Sequence, residues 1–256
     1  MLTQPQVQRY SNESGLRDIM IAEKEVVLTF LLQLLSERGI LDKLAFKGGT
    51  CLRKMFIGSQ GRFSTDLDFT GVEEHDHEDI ILEMMEAFGQ PFHGIQFAIP
   101  DGSYYETQDG LSWGVNPTYS HDWNATGVSE VRLQISRRET PTLPTERRPQ
   151  IEQSYFRLLP FAPAEIVCLA LSEILAEKIR ACYQRNKARD VCRVAFCPPI
   201  IRVGFGGRVN SPSPKCFVRI FQQPKSLIVL PSGALMAAIT CKLPLESRIA
   251  TGTSNL

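Results

Sequence analysis

Residues 46–70 read FKGGTCLRKMFIGSQGRFSTDLDFT, and this stretch decides the fold. A Gly-Gly-Thr turn at 48–50 is followed, about one helix later, by Asp66 and Asp68 in a strand-like run. The apolar residues before the turn and the helical spacing that resumes at Leu52 predict a strand, a glycine turn and a helix. If the turn and the second strand meet in space, a phosphate-binding backbone lies beside two carboxylates. An enzyme that holds a nucleoside triphosphate and its metal needs this combination.

The glycine turn has the properties of an anion site. Gly48 and Gly49 tolerate positive φ and let the backbone approach a ligand closely. The first N–H groups of the following helix have no partner within the helix and suit an anion, and Lys47 adds positive charge nearby. The alternative is a Gly-Gly pair that only begins a helix, so the turn alone does not identify a site.

The aspartates occupy one face of the second strand. Because side chains alternate along a strand, Ser64, Asp66 and Asp68 share one face, and the opposite face is mostly apolar. Two neighbouring carboxylates repel each other unless a cation lies between them. Mg²⁺ takes oxygen ligands, shares its shell with phosphates and neutralises charge on a transferring phosphoryl or nucleotidyl group. The alternative is a solvated polar face on an edge strand.

Length and composition predict a folded protein with an uneven charge distribution. The chain has 256 residues, enough for one large domain or two small ones, and its apolar content of 43% supports a core. The net charge is zero, but residues 1–193 carry 27 acidic and 21 basic residues. Residues 194–256 carry one acidic and seven basic residues. Any basic surface for RNA on the first part must therefore be local.

No segment predicts export or membrane insertion. The N-terminus is polar, and no run approaches the roughly 20 apolar residues of a membrane span. The seven cysteines are scattered and form no CxxC motif, so structural zinc is not expected. These features predict a cytoplasmic protein with reduced thiols and no membrane contact.

Periodicity predicts both helices and strands. Helices are expected over residues 15–38, 79–88 and 163–183. Besides the two strands of the opening stretch, strands are expected over residues 95–99, 104–107, 111–119, 130–137 and 154–159. Residues 139–150 are rich in Pro, Thr and charge, which predicts a loop or an interdomain linker. The predicted organisation is a core over 1–140, a strand and helical part over 141–193 and an atypical tail over 194–256.

The long helix contains a lysine among its apolar residues. Lys178 lies four residues after Ile174 and four before Cys182, within the apolar stripe. A lysine on an inward face is costly unless it has a partner or opens into a pocket. The alternative is a lysine near a helix end whose charge reaches solvent. Arg185 and Arg189 continue the same face if the helix is unbroken.

Four motifs together resemble the AbiEii/AbiGii toxin family of nucleotidyltransferases. They are FKGGT at 46–50, RFSTDLDF at 62–69, LSEILAEKIRACYQR at 171–185 and KARD at 187–190. This family, which includes the MenT-type toxins, forms the toxin half of bacterial toxin–antitoxin and abortive-infection pairs and belongs to the DNA polymerase β-like superfamily. The resemblance covers roughly residues 15–193. It implies an α/β (α+β) fold in which a mixed sheet is flanked by helices and followed by a helical C-terminal part.

The resemblance also implies how the first two motifs would bind the donor nucleotide. The residues that would contact the nucleotide are Lys47, Gly48, Gly49, Thr50 and Ser64. Asp66 and Asp68 would be catalytic residues that hold the metal, which is Mg²⁺ or Mn²⁺.

The two later motifs would complete the site by the same resemblance. Lys178 would grip the triphosphate, and Asp190 would act as a base. Arg185 and Arg189 would assist with phosphate or with tRNA. The donor site and the metal would thus depend on residues more than a hundred positions apart.

The implied reaction is transfer of NMP from an NTP to an RNA acceptor. The expected acceptor is the 3′ end of tRNA, where added nucleotides block aminoacylation, and the expected protein partner is a DNA-binding antitoxin. Two alternatives stay open. One is transfer to a protein or a small molecule, because the motifs describe the donor site and not the acceptor. The other is an inactive, truncated family member that only binds its antitoxin.

The chain departs from its family at the position of a third carboxylate. Superfamily members often carry this carboxylate on a later central strand. The strand predicted over 130–137 instead offers Arg132, Gln134 and Ser136 on its polar face, with Glu130 at its edge. One metal together with Asp190 would then suffice for the reaction.

The second departure is the tail. The family continues after its Arg-Asp pair with a helix, whereas residues 194–256 contain seven prolines and show no sustained helical period. We hypothesise that this tail is not family sequence, arises from a shift of reading frame and is poorly ordered. The alternative is a basic appendage that binds RNA.

Overall fold

A seven-stranded mixed sheet organises the first part of the chain. Across the sheet, its strands are Tyr105–Glu106 (β4), Ser112–Val115 (β5), Leu133–Ser136 (β8), Leu67–Gly71 (β2), Leu44–Lys47 (β1), Ile166–Cys168 (β10) and Glu146–Arg148 (β9). β1 pairs in parallel with β10, and β2 pairs in parallel with β8. The other neighbours are antiparallel. The predicted α/β (α+β) class, with a mixed sheet flanked by helices, is confirmed.

The structure is a computed structural model. It describes residues 1–16, 18–60, 63–72, 76–108, 110–124, 127–137, 140–185, 201–206, 215–221 and 227–228. The chain divides into two units, Met1–Ala170 and Leu171–Leu256, and the seven-stranded sheet lies in the first. Within the ranges above, no helix combines the length and the apolarity needed to cross a membrane.

The most buried helix of the first unit is α2, Ile19–Glu37. Asp18 caps it by accepting a hydrogen bond from the Met20 N–H at 2.9 Å. Every residue from 26 to 35 is buried, as expected for a helix that is apolar on almost all sides. The helix predicted over 15–38 therefore exists, although it begins at Ile19.

A preceding helix, α1 (Gln4–Glu13), was not predicted from the sequence. Its sequence is mostly polar, so it has no clear apolar period. The signals that could have revealed it are at its start. Pro5 occupies the first turn, and the Thr3 N–H donates to Oε1 of Gln6 at 2.9 Å.

Buried charges fix the helix that follows the glycine turn. The short α3, Gly48–Cys51, continues into a π-helix, Leu52–Ile57. Two residues of this π-helix reach Glu25 of α2, and all three side chains are buried. Lys54 Nζ lies 3.1 Å from Oε1 of Glu25, and Arg53 Nε lies 3.5 Å from Oε2. Because a buried charge needs a partner, these contacts hold the π-helix against α2.

The strands of a second, three-stranded sheet alternate with strands of the first along the sequence. It contains Gln96–Ala98 (β3), Thr118–Ser120 (β6) and Ser129–Glu130 (β7), all antiparallel. The helix predicted over 79–88 is α4, His77–Ala87. Asp76 precedes it and accepts a hydrogen bond from the Glu78 N–H at 3.1 Å. The helix starts two residues earlier than predicted because Asp76 acts as its cap.

Two predicted strands are each divided between the two sheets. The strand predicted over 111–119 is β5 and β6, with Pro117 between them. Proline has no N–H to pair, which ends a strand inside a sheet. The strand predicted over 130–137 is β7 and β8, separated by Val131 and Arg132. The uninterrupted reading of both segments was wrong.

Three predictions over residues 139–183 were also wrong in part. The helix expected from residue 163 begins at Leu171, because Ile166–Cys168 is β10. A short apolar run with β-branched residues fits a buried strand as well as a helix. The strand expected over 154–159 is a 3-10 helix, Phe156–Leu158. The loop expected over 139–150 contains the charged edge strand β9.

The second unit begins with α5, Leu171–Arg185. Three segments of the tail pair as an antiparallel sheet: Ile201–Gly206 (β11), Lys215–Phe221 (β12) and Leu227–Ile228 (β13). The rest of 194–256 lies outside the described residues. The prediction of a poorly ordered tail, and the division of the chain at residues 140 and 193, therefore stay predictions.

Candidate functional site

The glycine turn and the aspartate strand meet as the sequence predicts. Gly48 follows β1 in a left-handed conformation, with φ of +82°. A Cβ atom at Gly48 would lie 2.2 Å from Oδ2 of Asp68, and a Cβ atom at Gly49 would lie 3.0 Å from Oγ of Ser64. Only glycine allows both the backbone conformation and these close approaches. The turn and the polar side chains after it therefore form one contiguous site.

The pairing of β1 with β2 sets the position of the aspartates. The two strands are antiparallel, and Lys47 is opposite Asp68. Asp68 is half-buried, whereas Asp66 is exposed and lies one residue before β2. Ser64 is half-buried and precedes the strand, which was predicted to begin earlier. The two carboxylates thus lie at the beginning of a central strand, beside the end of β1.

Thr50 connects the turn to the aspartate segment through its side chain. It is fully buried, and its hydroxyl donates a hydrogen bond to the backbone carbonyl oxygen of Asp66 at 2.5 Å. The hydroxyl therefore holds the backbone that carries the first carboxylate. This positioning contact is distinct from the phosphate contact that the family resemblance implies for Thr50.

β8, the strand on the other side of β2, positions an arginine beside the site. In the parallel pairing of β2 with β8, Asp68 is opposite Gln134, and the Leu67 N–H donates to the carbonyl oxygen of Arg132 at 2.8 Å. The Arg132 Nε donates to the Tyr105 hydroxyl at 3.2 Å, and its Nη2 donates to Oε1 of Gln134 at 3.3 Å. This arginine is exposed and belongs to the same polar row as the aspartates.

The electrostatic environment of Arg132 includes both carboxylates. Its hydrogen bond to Tyr105 is the main cause of a raised guanidinium pKa, and the negative charges of Asp66 and Asp68 raise the pKa further. Burial acts in the opposite direction. From the sequence, Arg132 was interpreted only as one of the residues that stand where a third carboxylate was expected. The sequence signal that could have indicated this role is Gly114 on the neighbouring strand, since a glycine inside a strand often marks a place where another group approaches the backbone closely.

The residues present fit a single divalent metal. Asp66 and Asp68 offer carboxylate oxygens, which Mg²⁺ and Mn²⁺ accept, and water or substrate oxygens can fill the other positions. Glu130, the candidate for a third carboxylate, lies in β7 and pairs with Thr118 of the small sheet. Among the described residues, no group of three or more His, Cys, Asp or Glu side chains could hold a metal. In the part of the chain that the structure describes, Asp66 and Asp68 are therefore the carboxylates that would hold a metal together with the substrate.

The late motifs lie in the second unit or outside the described ranges. Lys178 is half-buried on α5, and Arg185 is the last residue of that helix. Arg189 and Asp190 lie outside the described residues, as does Arg62. The roles expected for Lys178, Arg185, Arg189 and Asp190 stay predictions.

Comparison with known proteins identifies the family of this fold and site. Residues 29–192 match the family model described as "Nucleotidyl transferase AbiEii toxin, Type IV TA system". Among solved structures, the chain is similar to MenT4, a nucleotidyltransferase toxin from Mycobacterium tuberculosis H37Rv, with 29% identity and a TM-score of 0.56. That match covers 72% of this chain and 60% of MenT4. A comparison with curated proteins found no significant match.

Proposed function

Because the chain belongs to the AbiEii family of nucleotidyl transferase toxins, we propose that it transfers NMP from an NTP to an RNA hydroxyl. The observation that carries this proposal is the contact between the Gly48 backbone and the Asp68 carboxylate, beside Asp66. This contact brings an anion-binding turn and a metal-binding pair together. The chain spans 60% of the length of MenT4, and its similarity to this toxin supports the proposed activity.

The proposed reaction breaks a phosphoanhydride bond of the NTP and forms a phosphodiester bond to the acceptor. The acceptor hydroxyl oxygen bonds to the α-phosphorus of the NTP, and the bond from that phosphorus to the oxygen bridging to the β-phosphate breaks. Pyrophosphate leaves, and the hydroxyl proton passes to Asp190. Positioning and charge stabilisation supply most of the rate enhancement in this class of reaction.

Each residue of the donor site has a proposed role. The backbone at Gly48 and Gly49 binds phosphate oxygens, with Lys47, Thr50 and Ser64 beside it. Asp66 and Asp68 hold Mg²⁺ or Mn²⁺, which when bound neutralises negative charge on the triphosphate. Lys178 binds the triphosphate, and Arg185 and Arg189 bind phosphate or RNA.

The proposed acceptor is the 3′ end of tRNA, and the proposed site of action is the cytoplasm. Membership of the family supports both proposals, since the motifs of this chain describe only the donor site. A toxin of a toxin–antitoxin system also implies an antitoxin, which we propose to be a DNA-binding protein encoded beside the toxin.

Label transfer tests the proposed reaction. The folded protein is incubated with Mg²⁺, total tRNA and each of the four labelled NTPs. We expect label in tRNA, and we expect Asp66→Ala and Lys178→Ala each to reduce it by at least about 100-fold, since each removes a charge that stabilises the transferring group. Asp101→Ala is the control, because Asp101 is an exposed turn residue.

The other outcomes separate the alternatives. Label on a protein or a small molecule instead of tRNA would identify a different acceptor. If the folded wild-type protein transfers no label and binds no NTP, and cells that express it without antitoxin grow normally, the chain is an inactive family member. Undiminished transfer by Asp66→Ala would overturn the metal assignment.

A further inference from the structure

Two short segments with polar residues at alternate positions lie side by side where the central strands β2 and β8 begin. In the parallel register, Leu67 is opposite Leu133 and Asp68 is opposite Gln134. Arg132 comes immediately before β8 just as Asp66 comes immediately before β2, so residues 132–134 lie beside residues 66–68. Because paired residues of neighbouring strands point to the same side, the four polar side chains share one face.

The arginine in this row is held from its other side. Tyr105 of β4 is opposite Gly114 of β5, which in turn is opposite Gln134. A Cβ atom at Gly114 would lie 2.5 Å from the Tyr105 hydroxyl oxygen, so the tyrosine lies across the glycine. That hydroxyl accepts the hydrogen bond from Arg132 Nε at 3.2 Å. The missing side chain at Gly114 of β5 thus lets Tyr105 reach across that strand and hold the arginine on this face of the sheet.

The charges of this row are unusual for a site that holds several metal ions. Gln134 is neutral at the position beside Asp68, and an amide does not attract a second cation as a carboxylate does. Arg132 contributes a permanent positive charge close to both carboxylates. A guanidinium presents several N–H donors in a planar fork that matches phosphate oxygens. Among the described residues, its Nε and Nη2 each donate one hydrogen bond to a protein group, and its Nη1 donates none, so N–H groups of the fork can face a ligand.

We propose that Arg132 binds the triphosphate of the nucleotide beside the metal that Asp66 and Asp68 would hold. Its positive charge takes the place of a second metal ion, which a third carboxylate would otherwise bind. This inference rests on the proposed function and names a phosphate-binding residue for it. The ligand class is a polyphosphate.

Equilibrium binding tests the inference without requiring turnover. ATP, GTP, CTP, UTP and inorganic tripolyphosphate are each titrated calorimetrically into the full-length protein, with Mg²⁺ and again with EDTA. We expect Arg132→Gln to weaken the binding of the preferred NTP and of tripolyphosphate by about 10- to 100-fold in both conditions, as expected for loss of a charged hydrogen bond. Arg132→Lys should retain part of the affinity.

Two variants provide the controls. Arg137→Gln removes one positive charge just beyond the same strand, where Arg137 pairs with Glu106 at 3.2 Å, and should bind as the wild type does. Tyr105→Phe removes the hydroxyl that orients Arg132 but keeps the ring. It should weaken binding less than Arg132→Gln, and it should have no further effect when combined with that change.

The outcomes distinguish this inference from the proposed function. If Arg132→Gln is folded, as judged by circular dichroism, and binds NTP and tripolyphosphate as tightly as the wild type, the inference is wrong and the proposed function stands. The same holds if Arg132→Lys and Arg132→Gln are indistinguishable from Arg137→Gln. If the folded wild-type protein binds none of the NTPs, the proposed function fails and this inference fails with it.

Discussion

At the scale of single residues, Gly48 and Asp68 depend on each other. The glycine adopts a φ of +82°, and its missing Cβ is what allows the carboxylate oxygen to lie against the backbone. Neighbouring residues in the sequence account neither for the conformation of the glycine nor for the position of the carboxylate. Their separation of twenty positions is bridged by α3, the π-helix and the beginning of β2.

Gly48→Ala should damage both stability and binding. The left-handed φ costs a non-glycine residue about 1–3 kcal/mol, and the new methyl group would also displace Asp68. Gly102→Ala is the matched control, because Gly102 has a φ of +75° but no atom within 4 Å of its virtual Cβ. Thermal unfolding and NTP titration measure the two effects. Equal losses in the two variants would show that the contact with Asp68 is unimportant.

The hydroxyl of Thr50 offers a second prediction at this scale. Thr50→Val keeps the shape of the buried side chain but removes its hydrogen bond to the Asp66 carbonyl. We expect a loss of about 1–3 kcal/mol in the free energy of unfolding and weaker metal-dependent NTP binding. Thr50→Ser should restore the hydrogen bond and most of the binding. If the Thr50→Val and Thr50→Ser variants bind nucleotide equally well, the Thr50 hydroxyl does not position Asp66.

At the scale of elements, the π-helix is attached to α2 through buried charges. Arg53 and Lys54 share one carboxylate, that of Glu25. Lys54 Nζ also donates to Oγ1 of Thr29 at 2.8 Å, and this hydroxyl lies 2.8 Å from that of Tyr155. Removing one member of such a group leaves a charge buried without full compensation.

Lys54→Met should therefore destabilise the protein by roughly 3 kcal/mol, at the lower end of the range for a broken buried ion pair because Arg53 stays beside Glu25. Lys43→Met is the matched control, since Lys43 pairs with Glu83 near the surface and its loss should cost less than about 1 kcal/mol. Urea unfolding gives both values. Similar values for the two variants would show that burial of the Lys54 charge does not matter.

The pH dependence of stability gives an independent measurement on the same lysine. Burial lowers the pKa of Lys54 below its ordinary 10.5, although Glu25 opposes this shift. Between the lowered pKa and 10.5 the unfolded chain binds more protons at this site, so stability should rise with pH in that window. Lys54→Met should remove the rise. The scan stays below pH 10.0, because burial raises the pKa of Tyr10 and Tyr155 and reverses the trend above that value.

The elements also show what sequence patterns can and cannot reveal. The glycine turn and the long apolar α2 have strong local signals, so they were predicted correctly. β10 was assigned to a helix because three apolar residues fit either period, and its pairing with β1 is a long-range contact. The role of Arg132 depends on the order of strands β4, β5, β8 and β2 across the sheet, which no local pattern contains.

At the scale of the whole molecule, the family match covers residues 29–192, and the sequence motifs end at nearly the same point. The first unit contains the turn, the aspartates and Arg132, all within Met1–Ala170. The residues expected to complete the site, Lys178 and Asp190, follow in the next part of the chain. The approach of the glycine turn to the aspartates was predictable because both lie in one contiguous stretch, whereas the acceptor leaves no comparable pattern.

The central position of β2 has a consequence for experiments on this protein. β2 is paired on both sides, with β1 and with β8, and successive residues along it point to opposite faces. A slip of one residue during folding would turn Leu67 or Phe69 to the side of the sheet that carries the carboxylates and would bury a carboxylate in the core. Such a misfolded product could keep its helices and a normal circular dichroism spectrum. Nucleotide affinity would then reveal errors of strand register that spectroscopy does not detect, and it could serve to judge the quality of refolded preparations.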